Sequence, residues 1–329
     1  MSRIDDCVKE YKNWCAKLGI VKVSDVNKII DAGGTNWLVN ISEAWHEQKI
    51  SEIAKNIKNN IEHKKIILIS GPSSSGKTTF ANRLQLHLKV LGVNAVSISL
   101  DNYYKKFSEM PLTDEGKPDF EALESIDYQQ FNENVKDLIE GKETFLPVYD
   151  FESRVRIPNA IKLQLASDEV IIVEGIHGLN PKLTDNISNE NKYRIYCSAL
   201  SALVMDNDVR IKSRSNRLVR RLIRDYYFRK SDYDLTMELW PNVERGAEKN
   251  IFPYTDSADV IFNSSLLYES CIYKKYLLDI IKNMPDDDGY KPQIDELVEI
   301  VSSFGDISVD EVPKISLIRE FVGGNTLYN

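Results

Sequence analysis

From residue 64 onward the chain alternates short runs of β-branched and aliphatic residues with longer stretches of helical periodicity. The apolar runs are KKIILIS (64–70), NAVSISL (94–100), EVIIVEG (169–175), YRIYCSA (193–199) and ADVIFNS (258–264). Near-continuous apolar strands separated by helices are the mark of a parallel sheet buried on both faces. The pattern predicts an α/β fold in three layers around a mainly parallel, five-stranded sheet. Residues 1–60 read as helical, with Val8, Tyr11, Trp14 and Leu18 at three- and four-residue steps, a break at Gly33-Gly34, and a further helix over Ile41–Ile61. Between the second and third strands lies an insert, 101–168, with a loop-like GKPDF and a β excursion through FLPVYDFESRVRIP. Inserts at the C-terminal ends of parallel strands commonly build a substrate pocket. The tail begins with a turn at Pro285–Asp288, continues as an amphipathic helix near 293–303, and closes briefly. The organisation is therefore a helical segment 1–60, a central domain 61–280 and a helical tail 281–329.

Composition narrows the classes. With 42% hydrophobic and 28% charged residues the chain can build a core, so wholesale disorder is excluded. A net charge of −8 argues against a general nucleic-acid binder. Cys7, Cys15, Cys197 and Cys271 form no CxxC pair, and His46, His63, His87 and His177 are too scattered for a ligand cluster. The N-terminus has no apolar signal-peptide core, and no run of about eighteen apolar residues occurs. The expectation is a soluble, cytoplasmic protein that does not engage a membrane.

The strongest motif is Gly71-Pro72-Ser73-Ser74-Ser75-Gly76-Lys77-Thr78, which fits GxxxxGK[ST], the phosphate-binding P-loop. It follows an apolar strand and opens a helix over 77–90, as the motif requires. Glycines let backbone N–H groups turn inward around phosphate oxygens, and the helix adds its positive N-terminal end. Lys77 would reach the β- and γ-phosphates and Thr78 would offer its hydroxyl to Mg²⁺, with Ser74, Ser75 and Thr79 as further donors.

Asp101 closes the second strand, where ligands bind in such sheets. There it could accept the proton of an attacking hydroxyl, the plain alternative being a loop aspartate capping a turn. Glu174 ends VIIVEG on the same side and would orient Mg²⁺; the alternative is a buried glutamate satisfied by backbone donors. Residues 210–230 hold nine Lys or Arg against one acid, Asp225, in an acidic protein. Arg217, Arg221 and Arg224 share a helical face. A charge run is usually a solvated face, but a triphosphate gives these arginines a specific client, and the helix reads as a lid that stabilises the transferring phosphoryl.

GPSSSGKTT, LDNYY, PVYDF with a following arginine, IIVEGIHGL and RLVRRLIRDYYFR, in this order, resemble the uridine kinase/phosphoribulokinase family of P-loop kinases over residues 64–275. The nearest likeness is to bacterial uridine-kinase-like proteins whose kinase domain follows a region similar to the editing-type domains of threonyl-tRNA synthetases. Residues 1–60 look like the end of such a region, and KISLIREFVGG resembles that subgroup's C-terminus. The resemblance implies a three-layer P-loop NTPase fold with a substrate-pocket β insert and an Arg-rich lid helix. It also implies Asp101 as general base, with Lys77 and Arg221 in catalysis. Gly71, Ser73, Ser74, Ser75, Gly76, Lys77, Thr78, Thr79, Arg224 and Arg229 fall at nucleotide-binding positions. Tyr104, Asp119 or Glu121, Tyr149, Arg154 and Arg156 fall around the acceptor, and Thr78 and Glu174 near the metal. One departure stands out: Arg154 occupies the place of a base-contacting histidine, and arginine only donates hydrogen bonds. An anionic acceptor gains ground there.

The activity implied is ATP- and Mg²⁺-dependent phosphoryl transfer to a small-molecule hydroxyl, with uridine or cytidine yielding the 5′-monophosphate. A sugar-phosphate acceptor is the runner-up. A regulatory or RNA-associated ATP-binding module is the rival from another class. The chain has no NKxD motif to read guanine. Family likeness also implies a homo-oligomer.

Overall fold

The computed structural model describes residues 2–150, 153, 155–166, 168–282, 284–285 and 289–327. The chain opens with α1 (Arg3–Lys17), α2 (Val23–Asp31) and α3 (Thr35–Asn59). Ser2 caps α1, its hydroxyl accepting from the Asp5 amide while the Asp5 carboxylate accepts from the Ser2 amide. The third helix starts at Thr35, directly after the Gly33-Gly34 break, six residues before the sequence pattern places it. There follow β1 (Ile66–Ser70), α4 (Lys77–Val90), β2 (Asn94–Ser99), α5 (Tyr128–Ile139), β3 (Thr144–Asp150), β4 (Val155–Leu163), β5 (Glu169–Glu174) and β6 (Lys192–Ser198). Then come α6 (Ser213–Arg229), α7 (Tyr233–Asn250), β7 (Val260–Asn263), α8 (Glu269–Ile281), α9 (Lys291–Ser302) and the single turn α10 (Arg319–Val322). The turn expected at Pro285–Asp288 falls largely outside the described residues, and the tail helix near 293–303 is α9.

The five apolar runs form one sheet in the order β2-β5-β1-β6-β7. Every pairing in it is parallel. All five residues of β1 are buried. They sort by the two-residue period of a strand: Ile67 and Ile69 join a cluster with Phe80 and Leu84 of α4, while Ile66 and Leu68 join Phe131 and Val135 of α5. Each such side chain contributes about 1.5–3 kcal/mol by leaving water. The insert's β excursion is the antiparallel pair β3–β4, shifted in register between Leu146 and Val148, near Pro147.

The first cluster extends beyond the central sheet. It takes in Tyr11, Val26, Leu38 and Ile50 from α1–α3, and Leu297, Val301, Phe304, Leu317 and Phe321 from α9 and the tail. Both flanking segments thus share a core with α4, α6 and α8. Among the described residues no helix is long and apolar enough to cross a membrane.

Sheet order positions the chemistry. β5 lies between β1 and β2, so the loop after β1, the end of β5 and the turn after β2 converge at one sheet edge. Ser99 pairs with Glu174, which also pairs with Ile69.

Candidate active site

The loop leaves β1 at Gly71 hard against β6: a Cβ there would stand 2.0 Å from the Cys197 carbonyl oxygen. Ser74 takes a left-handed conformation, φ 61°. Gly76, φ +86°, caps α4, and any Cβ on it would meet Leu317 of the tail at 2.7 Å. The Lys77 Nζ donates back to the carbonyls of Gly71 (2.8 Å) and Pro72 (3.3 Å). The Ser74 and Ser75 hydroxyls are buried and find no hydrogen-bond partner among the described residues. Buried donors left so are costly unless a ligand meets them.

A cavity of about 280 Å³ opens over this loop. Ser73, Ser74, Gly76, Lys77 and Thr78 form its floor, Asp101, Tyr104, Phe120, Glu121 and Glu174 one side, and Arg221, Arg224 and Arg229 of α6 the other, with Glu320 of α10 completing it. Twelve of the residues singled out by sequence therefore line one space. Asp101 sits in a short 3₁₀ turn, Leu100–Tyr103. Burial raises its pKa, and the charges of Lys77, Arg229 and Arg224 pull it back. Glu174 is pushed up to about 7 by burial and then by the charge of Asp101, although the Ser99 hydroxyl donates to it at 3.0 Å. Glu121 is likewise raised to about 7, mainly by burial, and its Oε2 is an orphaned buried acceptor. It is held by close packing of α7: a Cβ on Gly246 would stand 2.3 Å from the Glu121 Cβ.

The basic helix faces the loop directly. Arg221 donates to the Ser73 hydroxyl at 2.9 Å and Arg217 to the Ser73 carbonyl at 3.3 Å. Arg217 is otherwise locked by Glu244 at 2.6 Å and stacked over Trp240. Asp225 gathers Arg221 (3.2 Å), Arg224 (3.0 Å) and, more distantly, Arg229 (3.7 Å).

The remaining sequence candidates lie elsewhere. Gly71, Ser75 and Thr79 shape the loop without lining the cavity, and the Thr79 amide and hydroxyl donate to Glu320 at 3.2 and 2.8 Å. Tyr149 is buried behind Tyr104, ring against ring at 5.7 Å, and the Tyr104 hydroxyl donates to the Phe120 carbonyl at 3.0 Å. Arg156 turns to Asp127, the cap of α5, at 3.0 Å. Asp119 accepts from the Glu121 amide and from Asn242, and faces an adjoining cavity of about 190 Å³ with Arg245 and Lys249. Arg154 lies outside the described residues. Two groups escaped the sequence reading. Arg220 sat unmarked in the basic run, yet it is fully buried and donates to the Ser74 carbonyl at 3.4 Å. Glu320 gave no signal beyond its place in the tail.

The donor set suits Mg²⁺ more than a softer ion. Thr78 and Glu174 offer hard oxygens, and among the described residues no three His, Cys, Asp or Glu side chains gather into a metal-holding group. Mg²⁺ typically takes one or two protein ligands and completes its shell with phosphates and water, so these two residues could hold it beside a bound triphosphate.

The chain is similar to several known proteins. A Staphylococcus aureus (strain JH9) uridine kinase is 29% identical over 197 residues, covering 60% of this chain and 86% of the relative. A solved Bacillus stearothermophilus structure described as a possible uridine kinase is 17% identical, with a TM-score of 0.44 over 66% of this chain and 98% of that one. D-glycerate 3-kinase from Cryptococcus neoformans is 13% identical, with a TM-score of 0.32 over 83% and 88%. Residues 66–266, from the first residue of β1 to just past β7, match the Phosphoribulokinase / Uridine kinase family, and on that match the chain belongs to it.

Proposed function

We propose that the chain transfers the γ-phosphoryl group of ATP to a hydroxyl of a small-molecule acceptor, with uridine or cytidine as the first candidates. The observation that carries this reading is the meeting of Asp101 and Lys77 in one cavity, with Tyr104 and Glu121 beside them. A module that only binds nucleotide has no need of Asp101, Tyr104 and Glu121 together beside its phosphate loop.

In this reading Asp101 takes the proton of the acceptor hydroxyl as its oxygen attacks phosphorus. Burial raises the pKa of Asp101 and makes it a better base than a free aspartate, while Lys77, Arg229 and Arg224 favour its charged form. Lys77 from α4, and Arg221, Arg224 and Arg229 from α6 as a lid, offset the charge on the phosphoryl oxygens. Glu121 would hold acceptor hydroxyls, its unpartnered Oε2 accepting one of them. Mg²⁺ held at Thr78 and Glu174 would draw charge from the phosphates. Support for nucleosides comes from the relatedness to uridine kinases.

A compact, anionic acceptor such as a sugar phosphate is the second reading. It is favoured by the engagement of Tyr149 and Arg156 away from the cavity and by Arg245 and Lys249 around the adjoining one. ADP release from MgATP, measured with uridine, cytidine, other nucleosides, ribulose 5-phosphate and no acceptor, separates these readings. Turnover stimulated by one acceptor and lost in Asp101→Asn supports the kinase. Turnover indifferent to every acceptor and to Asp101→Asn moves the reading to an ATP-driven module.

A further inference from the structure

The first-turn amides of α4 and the hydroxyls beside them make the positive end of the phosphate site. One of those amides is occupied by another part of the same chain. A single oxygen, Glu320 Oε2, accepts from both the amide and the hydroxyl of Thr79, 3.2 and 2.8 Å away. Glu320 also lines the cavity itself. A carboxylate on helix N-terminal donors does what a phosphate oxygen would do there.

The contact is built, not incidental. Leu317, Ile318 and Phe321 around Glu320 are fully buried. The Arg319 guanidinium closes the tail on itself, donating to the carbonyls of Val309 and Val312 at 2.6 Å each. Leu317 packs on Gly76 at the base of the loop, and Phe321 lies under Arg220, the residue that donates to Ser74. Ser316 meets the Tyr268 hydroxyl at 3.1 Å. The tail thus touches the phosphate loop at Gly76 and Thr79, and through Arg220 at Ser74.

We propose that Glu320 is a built-in competitor for the phosphate site: its carboxylate occupies the Thr79 donors, and a nucleotide phosphate must displace it to reach them. The tail 313–323 is then a gate on nucleotide affinity. This rests on the P-loop being the nucleotide site, as in the function proposed above, but not on the identity of the acceptor. Apparent affinity falls by the fraction of molecules whose site is open, so a gate closed nine-tenths of the time weakens binding by about tenfold.

The test is titration calorimetry of the full-length protein with ADP, with and without Mg²⁺, comparing wild type, Glu320→Gln and Glu320→Ala. The gate predicts roughly threefold to tenfold tighter ADP binding in both variants, with and without the metal. In wild type, amide hydrogen exchange across 313–323 should rise on adding ADP. If Glu320 instead helps hold Mg²⁺, the variants bind MgADP more weakly and metal-free ADP unchanged, and the gate is overturned. Unchanged affinity in both conditions overturns it as well. Circular dichroism melts of Glu320→Gln, which keeps the shape of the side chain, show whether a weakened variant is simply unfolded. Should wild type and Lys77→Ala bind ADP equally poorly, the P-loop reading itself falls, and the gate with it; tight wild-type binding that Lys77→Ala abolishes leaves the Glu320 variants to decide the gate alone.

Discussion

Arg220 and Glu269 form a buried ion pair, Nη2 to Oε2 at 2.6 Å, with side-chain exposures of 0% and 4%. The same guanidinium donates to the carbonyls of Ser264 and Ser74, so the pair ties α6 and α8 to the phosphate loop. Its neighbour Arg221 points the other way, into the cavity. Two adjacent arginines therefore do different work.

Substituting them should separate stability from catalysis. Arg220→Ala leaves Glu269 buried without its partner, which costs about 3–5 kcal/mol, and chemical denaturation should show it. Arg221→Ala leaves Asp225 still paired with Arg224 and Arg229, so its stability should fall less than that of Arg220→Ala. Its kcat should drop about 10²-fold or more, as expected for a lost electrostatic donor to the transferring group. Equal destabilisation by the two variants would contradict this assignment.

The acid limb of the pH–rate profile should belong to Asp101. A base is useful only when ionised, so kcat/KM should fall as pH drops through its pKa. Burial raises that pKa, and Lys77, Arg229 and Arg224 lower it. Removing one cation with Arg229→Gln should therefore move the limb to higher pH. A limb that stays in place or shifts downward would assign it to another group.

Glu174 predicts a pH dependence of stability in the nucleotide-free protein. Its folded pKa is raised from the usual 4.5 to about 7. A raised carboxyl holds its proton more tightly in the folded state, so the stability it lends is complete below pH 4.5 and is lost as pH rises through about 7. Glu174→Gln stays neutral throughout. Relative to wild type it should gain stability between those two pH values, up to about 3 kcal/mol for the full shift, read from urea midpoints at both ends. A constant offset across that window would show that Glu174 is not strained by its neighbours.

Gly71→Ala should be severe. Its new Cβ would meet a backbone carbonyl, Cys197 O, at 2.0 Å, and no rotamer can relieve that. Gly175→Ala meets the Leu100 side chain, Cβ and Cδ1 each at 2.7 Å, a less severe overlap than the one with the carbonyl oxygen. Thermal melts with and without MgADP should show Gly71→Ala losing several kcal/mol, roughly the upper range for single substitutions, together with the nucleotide-induced rise in Tm. Gly175→Ala should retain both in larger part. The reverse order would mean that the loop's close approach to β6 is not what demands glycine.

Much of this protein is written locally in its sequence. Five apolar runs became the five strands because a buried parallel strand needs side chains that suit both faces, and that demand is met residue by residue. The phosphate loop was legible because all its parts are contiguous. Asp101 and Glu174 were legible because each ends or follows such a run, and a parallel sheet delivers its strand ends to one edge. Arg221 and Arg224 could be placed on one face from helical spacing alone.

Spacing could not say which arginine of α6 turns inward, since Arg220 and Arg221 look alike in a list of charges. That depended on Glu269 arriving from α8, 49 residues away. Tyr149 and Arg156 were drawn from the cavity by Tyr104 and by the α5 cap, neither of which a motif specifies. Glu320 reached Thr79 across 241 positions. Local propensity and periodicity decide what each segment is and which way its ends face; only close packing of the finished core decides which distant charges are brought within 3 Å of one another, because that distance is the sum of every contact between them.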